Sequence, residues 1–302
     1  MITKCLPSSE GNVWKYVLTC PGNSMSKDVV TEAVLYRYPT FEKRTVLCIS
    51  VQSGCPVGCT FCGTGNAFMG NLTANEIVQQ VIDIFNDKNI YACNCERLQI
   101  MFMSMGEPFL NYENVEGALH QLSFLYPNAE LLISTIGPNR PRDFRRFVEL
   151  SKEIDTIGLQ FSIHASMDED RDKIIPFKNK WSLRQIRDYG IRWCMETGRH
   201  PYLNYCITDD FNQTDTDNLM NMFPPTIFNF TFSVVCSADE SMKDAGYRDL
   251  DKIRAVEEQF IEAGYNTRIF DPAGQDDIGG GCGQLWHIQK WMKEQAKNEC
   301  VA

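Results

Sequence analysis

Cys55, Cys59 and Cys62 stand in the segment GCPVGCTFCGTG with the spacing C-x3-C-x2-C, among Gly54, Pro56, Gly58, Gly63 and Gly65. Small residues let a backbone curl tightly, so three sulfurs can converge. Thiolates are soft metal ligands. A closed structural zinc site takes four ligands, usually from two C-x2-C-type pairs. A bacterial ferredoxin run also brings a fourth cysteine close by. Here the local count stops at three. Three thiolates on a four-iron cluster leave one iron open to something that is not protein. The competing readings are a zinc knuckle with a remote fourth ligand, and three unrelated buried cysteines.

Thirteen cysteines in 302 residues is an odd number in a chain too long to need disulfide stapling. A reducing, cytoplasmic setting follows. The N-terminus MITKCLPSSEGNVWKY lacks a basic stretch followed by an apolar one, so it does not read as a secretory signal. No run of about 18 apolar residues is present, which excludes a membrane span. A net charge of −10 argues against a broad basic face for nucleic acid. Arg140, Arg142, Arg145 and Arg146 cluster in PNRPRDFRRF, which reads as a solvated helix face. Cys93 and Cys95 have no partners in sequence and read as incidental, and the Met-rich run IMFMSM reads as core packing.

These groups need a scaffold to position them. Apolar, β-branched runs occur at 46–52, 98–105, 130–136, 156–163, 202–207, 227–235 and 267–271. Helical stretches lie between them. Thr73 to Glu76 forms a capping box before NEIVQQVIDIF, and other helices start near Asn111, Pro141, Ser182, Thr214 and Leu250. Repeated β-then-α units predict a parallel sheet with right-handed crossovers. Six units are too few for a closed eight-strand barrel, so the expected fold is α/β, a partial (β/α)6 TIM-like barrel. Residues 1–40 read as a small antiparallel β extension. Residues 41–302 form the barrel, with GQLWHIQKWMKEQAKNE as a terminal helix.

In α/β barrels chemistry sits at the carboxyl ends of the strands. The three-cysteine loop follows the first barrel strand. Residues 105–108 (MGEP) close the second, Ser134 to Gly137 the third, and Ser162-Ile163-His164 the fourth. All of them are expected on one rim.

With TVLCISVQSGC, MGEPFLN, LISTIG, FSIHASMDEDRDKIIP and DDIGGGCGQL added, the chain resembles the RlmN/Cfr family of radical S-adenosylmethionine RNA adenine methyltransferases. The resemblance runs from about Ser8 to Gln284. It implies that the family's N-terminal helical accessory domain is lacking. It also departs from the family at FNFTFSVVCSADES, where the asparagine of a Pro-Trp-Asn motif is missing.

The resemblance implies that Cys55, Cys59 and Cys62 bind a 4Fe–4S cluster whose open iron is chelated by S-adenosylmethionine. Gly106 and Glu107 would meet its methionine end, with Glu107 accepting from the ammonium. Ser134, Ser162, Ile163 and His164 match further cofactor-contacting positions. Cys282 would be methylated, since thiolate is the nucleophilic form, and would carry the carbon to C2 or C8 of adenine after hydrogen abstraction by a 5′-deoxyadenosyl radical. Cys48 would resolve the covalent intermediate and leave a Cys48–Cys282 disulfide. Glu32 aligns with a proton acceptor. The implied partners are rRNA or tRNA and an electron donor such as flavodoxin or ferredoxin, with a monomeric chain. Glycines 279–281 and 283 would let the Cys282 loop move. Two alternatives stay open. One is the same chemistry on a nucleotide, peptide or small molecule. The other is a non-catalytic zinc- or cluster-binding module, against which Cys282, Cys48 and the GEP motif speak.

Overall fold

The computed structural model describes residues 1–20, 29–65, 67–236, 247–281 and 283–285. Cys282 and, from residue 286 onward, the expected terminal helix lie outside the described residues.

Strands β1 (Ile2–Pro7), β2 (Val13–Cys20) and β3 (Val29–Arg37) pair antiparallel, and β3 pairs the same way with β4 (Arg44–Cys48). Two short strands, β5 (Gln52–Gly54) and β6 (Phe68–Asn71), form a separate antiparallel ladder. From there helices and strands alternate. The order is α1 (Ala74–Asp87), β7 (Arg97–Phe102), α2 (Tyr112–Leu125), β8 (Ala129–Thr135), α3 (Pro141–Glu153) and β9 (Ile157–Ser162). It continues with α4 (Asp168–Ile174), α5 (Leu183–Thr197), β10 (Tyr202–Cys206), α6 (Gln213–Met222), β11 (Asn229–Ser233), α7 (Leu250–Glu262) and β12 (Thr267–Phe270).

The main sheet runs β1-β2-β3-β4-β7-β8-β9-β10-β11-β12 and is parallel from β4 onward. Six crossovers join seven parallel strands, which is the expected partial (β/α)6 barrel with a closing strand. Among the described residues β1 and β12 are its open edges. The expected boundary near residue 40 falls in the β3–β4 turn, inside one continuous sheet.

Local chemistry explains the elements. Thr73 Oγ1 accepts from Glu76 N at 3.3 Å while Glu76 Oε2 accepts from Thr73 N at 2.7 Å, closing the predicted capping box of α1. Ser182 and Gln185 do the same for α5, and Gly198 at φ +72° ends it. The parallel strands alternate. In β8, Ala129, Leu131 and Ile133 are buried and Glu130, Leu132 and Ser134 are half-exposed. The buried set packs under the helices with Ile100, Leu159, Phe161, Leu203, Phe230 and Phe232. Each such side chain contributes about 1.5–3 kcal/mol when removed from water. The opposite parity faces the inside of the curved sheet and carries polar groups.

The first two barrel strands leave the ladder earlier than the apolar runs suggested, at Cys48 and Phe102. Residues 49–52 instead bond to residues 101–105. Ile49 N reaches Met101 O at 2.8 Å, Ser104 N reaches Ile49 O at 3.1 Å and Val51 N reaches Met105 O at 2.9 Å. This braces the loops that carry the site.

Candidate active site

The loop with Cys55, Cys59 and Cys62 is clamped between β5 and β6. Cys55 N donates to Ala67 O at 2.8 Å, and Thr60 N donates to Ile174 O at the end of α4. Gly54 has φ +79°, and a Cβ there would lie 1.6 Å from Ala67 O, so only glycine fits. All three cysteines are half-buried and line one cavity of about 440 Å³ in the mouth of the sheet.

No three Cys, His, Asp or Glu side chains among the described residues close on a single ion-sized point. Three thiolates on one cavity are a donor set that can hold an iron–sulfur cluster. Burial pushes the Cys55 thiol up to about 12, with smaller contributions from Cys62 and Glu107. A bare thiolate is disfavoured there, and the positive charge of bound iron would relieve it.

The remaining rim is built from strand ends, and its geometry separates the expected residues. Gly106, Glu107, Ser134, Ser162 and His164 line the same cavity. Ser134 Oγ and Ser162 Oγ lie 3.3 Å apart. Gly106 has φ +96°, and a Cβ would press to 2.6 Å on the Gln52 side chain. Glu107 is 3% exposed. Its carboxylate accepts from Thr135 Oγ1 at 2.6 Å, Ile136 N at 2.9 Å and Phe109 N at 3.0 Å. Burial outweighs those donors and raises its pKa to about 7. His164 holds φ +55°, packs edge-on against Phe61 of the cysteine loop, and accepts from Cys206 N through Nδ1 at 3.2 Å. Burial lowers its pKa to about 3, assisted by Arg171, so the ring is neutral with Nε2–H as its remaining donor.

Ile163 is different: its side chain is fully buried in the core and does not line the cavity. Glu32 does not line it either. It is fully buried and paired at 3.0 Å with Lys15, which donates to Gln284 O at 2.8 Å. Cys48 does line the cavity, with Met101 Sδ 3.9 Å from its sulfur. Met101 and Met103 also face the cavity, so two of the methionines read as core packing turn inward instead.

Cys282 itself lies outside the described residues, but its neighbours are well anchored. Gly280, Gly281, Gly283 and Leu285 line the cavity. Gly283 O accepts from Gly63 N at 2.5 Å, and Leu285 O accepts from Thr64 Oγ1 at 3.1 Å, both from the cysteine loop. Tyr36 Oη donates to Gly280 O. A Cβ on Gly281 would lie 2.6 Å from Cys236 Sγ, and one on Gly283 would lie 3.0 Å from Phe61 O. Close approach is therefore a sufficient reason for those glycines. The antiparallel extension supplies a wall of the cavity through Val34, Tyr36 and Tyr38, as well as anchors for the segment around Cys282.

Several positioning residues escaped the sequence reading. Arg171, fully buried, ties together three strand-end carbonyls, Ile136 O at 2.6 Å and Ile163 O and Ser162 O at 3.2 Å, and the Trp181 carbonyl just before α5 at 2.8 Å. Its place inside FSIHASMDEDRDKIIP was the available signal. Lys15 and Tyr36 had none, because their partners lie some 250 residues away in sequence.

No family model matches the chain. A probable dual-specificity RNA methyltransferase RlmN of Streptomyces coelicolor is 32% identical over 270 residues, covering 85% of this chain and 70% of the relative. One of Pseudothermotoga lettingae is 33% identical over 265 residues, covering 82% and 70%. This chain belongs to the RlmN family. A radical SAM methyltransferase from Sphaerobacter thermophilus superposes with a TM-score of 0.79 at 25% identity, covering 94% of this chain and 80% of that one. RlmN membership accords with the motifs on the rim.

Proposed function

We propose that this chain is a radical S-adenosylmethionine methyltransferase that methylates an sp2 carbon, C2 or C8, of adenine in RNA. It uses S-adenosylmethionine and an iron–sulfur cluster, which we assign as 4Fe–4S on Cys55, Cys59 and Cys62. The observation that carries the reading is one cavity lined by those three cysteines, by Glu107 and Cys48, and by glycines on both sides of Cys282. The RlmN relatives support RNA as the substrate.

When bound, cluster and cofactor supply one-electron reduction and hydrogen abstraction. The chain's own residues supply the rest. Cys282 takes the methyl group as its nucleophile and presents it to the ring. Cys48 closes a disulfide with Cys282 as product leaves, and a reducing cytoplasm restores both thiols. Ser134, Ser162 and neutral His164 offer hydrogen bonds to the cofactor, and Gly106 lets backbone approach it. The Glu107 carboxylate, with one acceptor position left after its three donors, faces the methionine ammonium. For Glu32, the Lys15 pair supports a positioning part: together they hold Gln284 beside Cys282.

Nucleoside mass spectrometry of total RNA from cells with and without the protein tests this. A 2- or 8-methyladenosine signal that requires both Cys282 and Cys48 is expected. Identical nucleosides in both cells would transfer the chemistry to a non-RNA substrate.

A further inference from the structure

The cavity continues below the rim, toward the amino ends of the strands, and its chemistry changes there. Arg44 opens β4 and Arg268 sits in β12; both line the cavity. Arg268 donates from Nε to Thr231 Oγ1 at 2.7 Å and from Nη2 to Gln160 Oε1 at 2.9 Å, with its guanidinium 4.4 Å from the Tyr202 ring centroid. Arg44 donates from Nε and Nη2 to Gln99 Oε1 at 3.1 and 2.8 Å and lies over Tyr38. Every one of these acceptors is neutral. The carboxylate in electrostatic range of both, Glu130, is already taken. Arg97 grips its two oxygens at 3.0 and 3.1 Å, and Gln99 Nε2 adds a bond at 2.7 Å. Asp271, also on the cavity, is held by Arg248 at 2.8 and 3.0 Å and by Gln275 at 2.5 Å.

Among the described residues three guanidiniums therefore share one carboxylate, Arg97 from the exposed side and Arg44 and Arg268 from half-buried positions, within a chain of net charge −10. Burial disfavours both Arg44 and Arg268, and the cations repel one another. Charges withdrawn from water are normally paired. A guanidinium carries five N–H donors, and each arginine has committed two. The remainder form rigid forks, fixed by an amide and a ring, of the shape that binds phosphate oxygens bidentately.

We propose that Arg44 and Arg268 form an oxyanion site at the base of the cavity that takes a phosphate group of the substrate. The inference rests on the adenine-methylating reading of the rim and specifies how the substrate enters. The reacting base lies toward Cys48 and the cluster cysteines, and a phosphate lies toward the arginines. Arg44 and Cys48 are the two ends of β4, four residues apart, or roughly 13 Å at the rise of a strand. That is of the order of one nucleotide with its flanking phosphates, and it sets the site apart from the cofactor-binding rim. The shared chemistry is phosphate, whether a phosphodiester of RNA or the phosphomonoester of a free nucleotide.

The test uses the full chain with its cluster reconstituted. Binding of an adenine-containing single-stranded RNA, of 5′-AMP and of inorganic phosphate is measured for wild type, Arg268→Gln, Arg268→Lys and Arg44→Gln. Arg268→Gln is expected to weaken the phosphate-bearing probe at least tenfold. For RNA, its salt dependence should fall by about 0.7 in slope for the lost contact. Arg268→Lys should recover only part of the loss, while iron content and the cluster spectrum stay as in wild type. Arginine-dependent binding of RNA but not of 5′-AMP assigns the phosphodiester, and the converse assigns the free nucleotide. Unchanged affinity and salt slope in folded Arg268→Gln and Arg44→Gln would overturn the proposal even if methyladenosine is still made. Arginine-dependent phosphate binding without any RNA product would retain the site and reject RNA as substrate.

Discussion

The two ends of the cavity are lined from the same strands and hold opposite chemistry. At the carboxyl end, β4 and β9 finish in Cys48 and Ser162 and β8 carries Ser134 one residue before its end, with Glu107 and His164 in loops that follow strands. The groups there are small or titratable. Burial pushes Glu107 and Cys55 up and His164 down, toward their neutral forms. At the amino end Arg44 and Arg268 remain cations, pinned by neutral amides and stacked on rings. A desolvated rim that disfavours charge is suited to radical and thiolate chemistry once its metal and cofactor bring charge with them. A base that keeps uncompensated positive charge is suited to gripping something already anionic.

The sharpest way to break this comparison is to destroy one end and watch the other. Cys59→Ala is expected to lose iron and to drop methyl transfer by roughly three orders of magnitude or more, a range seen when residues of one catalytic unit are removed. Phosphate binding at Arg44 and Arg268 should persist. Iron analysis beside phosphate titration of the same preparation checks it, and coupled loss of both would merge the two ends into one unit.

Titration separates the ends next. His164 has a folded pKa near 3 against an ordinary 6.5. The folded state therefore binds fewer protons than the unfolded chain, and its stability falls as pH drops from 6.5 toward 3. The limit is about 5 kcal/mol. Glu107 runs the other way. With a folded pKa near 7 against 4.5, it contributes stability at low pH that is lost as pH rises from 4.5 through 7, by about 3 kcal/mol. His164→Asn tolerates the positive φ and keeps a side-chain acceptor for Cys206 N. Denaturant unfolding across pH should show a flattened acid limb for His164→Asn and a flattened neutral limb for Glu107→Gln. Arginine variants at the base should leave both limbs in place.

A third contrast concerns the wall joining the ends. Lys15→Met alone takes the 3.0 Å cation away from buried Glu32 and is expected to cost about 3–5 kcal/mol. The double change Lys15→Met with Glu32→Leu should recover most of that. A single variant as stable as wild type in urea unfolding would show that the pair does not support the segment around Cys282.

Much of the rim was readable in sequence because its residues are local signals on strand ends. The C-x3-C-x2-C loop, Gly106-Glu107, Ser134 and Ser162-Ile163-His164 lie in the last residues of a β run or within a few residues after it, so topology alone gathers them. Ile163 differs by parity. It follows inward-facing Ser162, so its side chain turns into the core and only its main chain stays at the rim. Glu32 reads as a lone acid in a strand, and nothing nearby in sequence reveals Lys15 as its partner. The base was not legible at all. Arg44, Gln99, Gln160, Thr231 and Arg268 are single polar residues on five strands, and only the inward parity of a curved sheet brings them together. The same parity put Met101 and Met103 on the cavity, where an unbroken apolar run had suggested the core.

The central claim is that Cys282 carries carbon to an adenine ring and that Cys48 releases it. Peptide mass spectrometry of Cys48→Ala purified from cells tests it most directly. The account predicts a nuclease-sensitive adduct of a methylene-linked adenine nucleotide on the Cys282 peptide, present in Cys48→Ala and lost in Cys48→Ala with Cys282→Ala. An unmodified Cys282 in Cys48→Ala, from cells where the wild type methylates RNA, would contradict it.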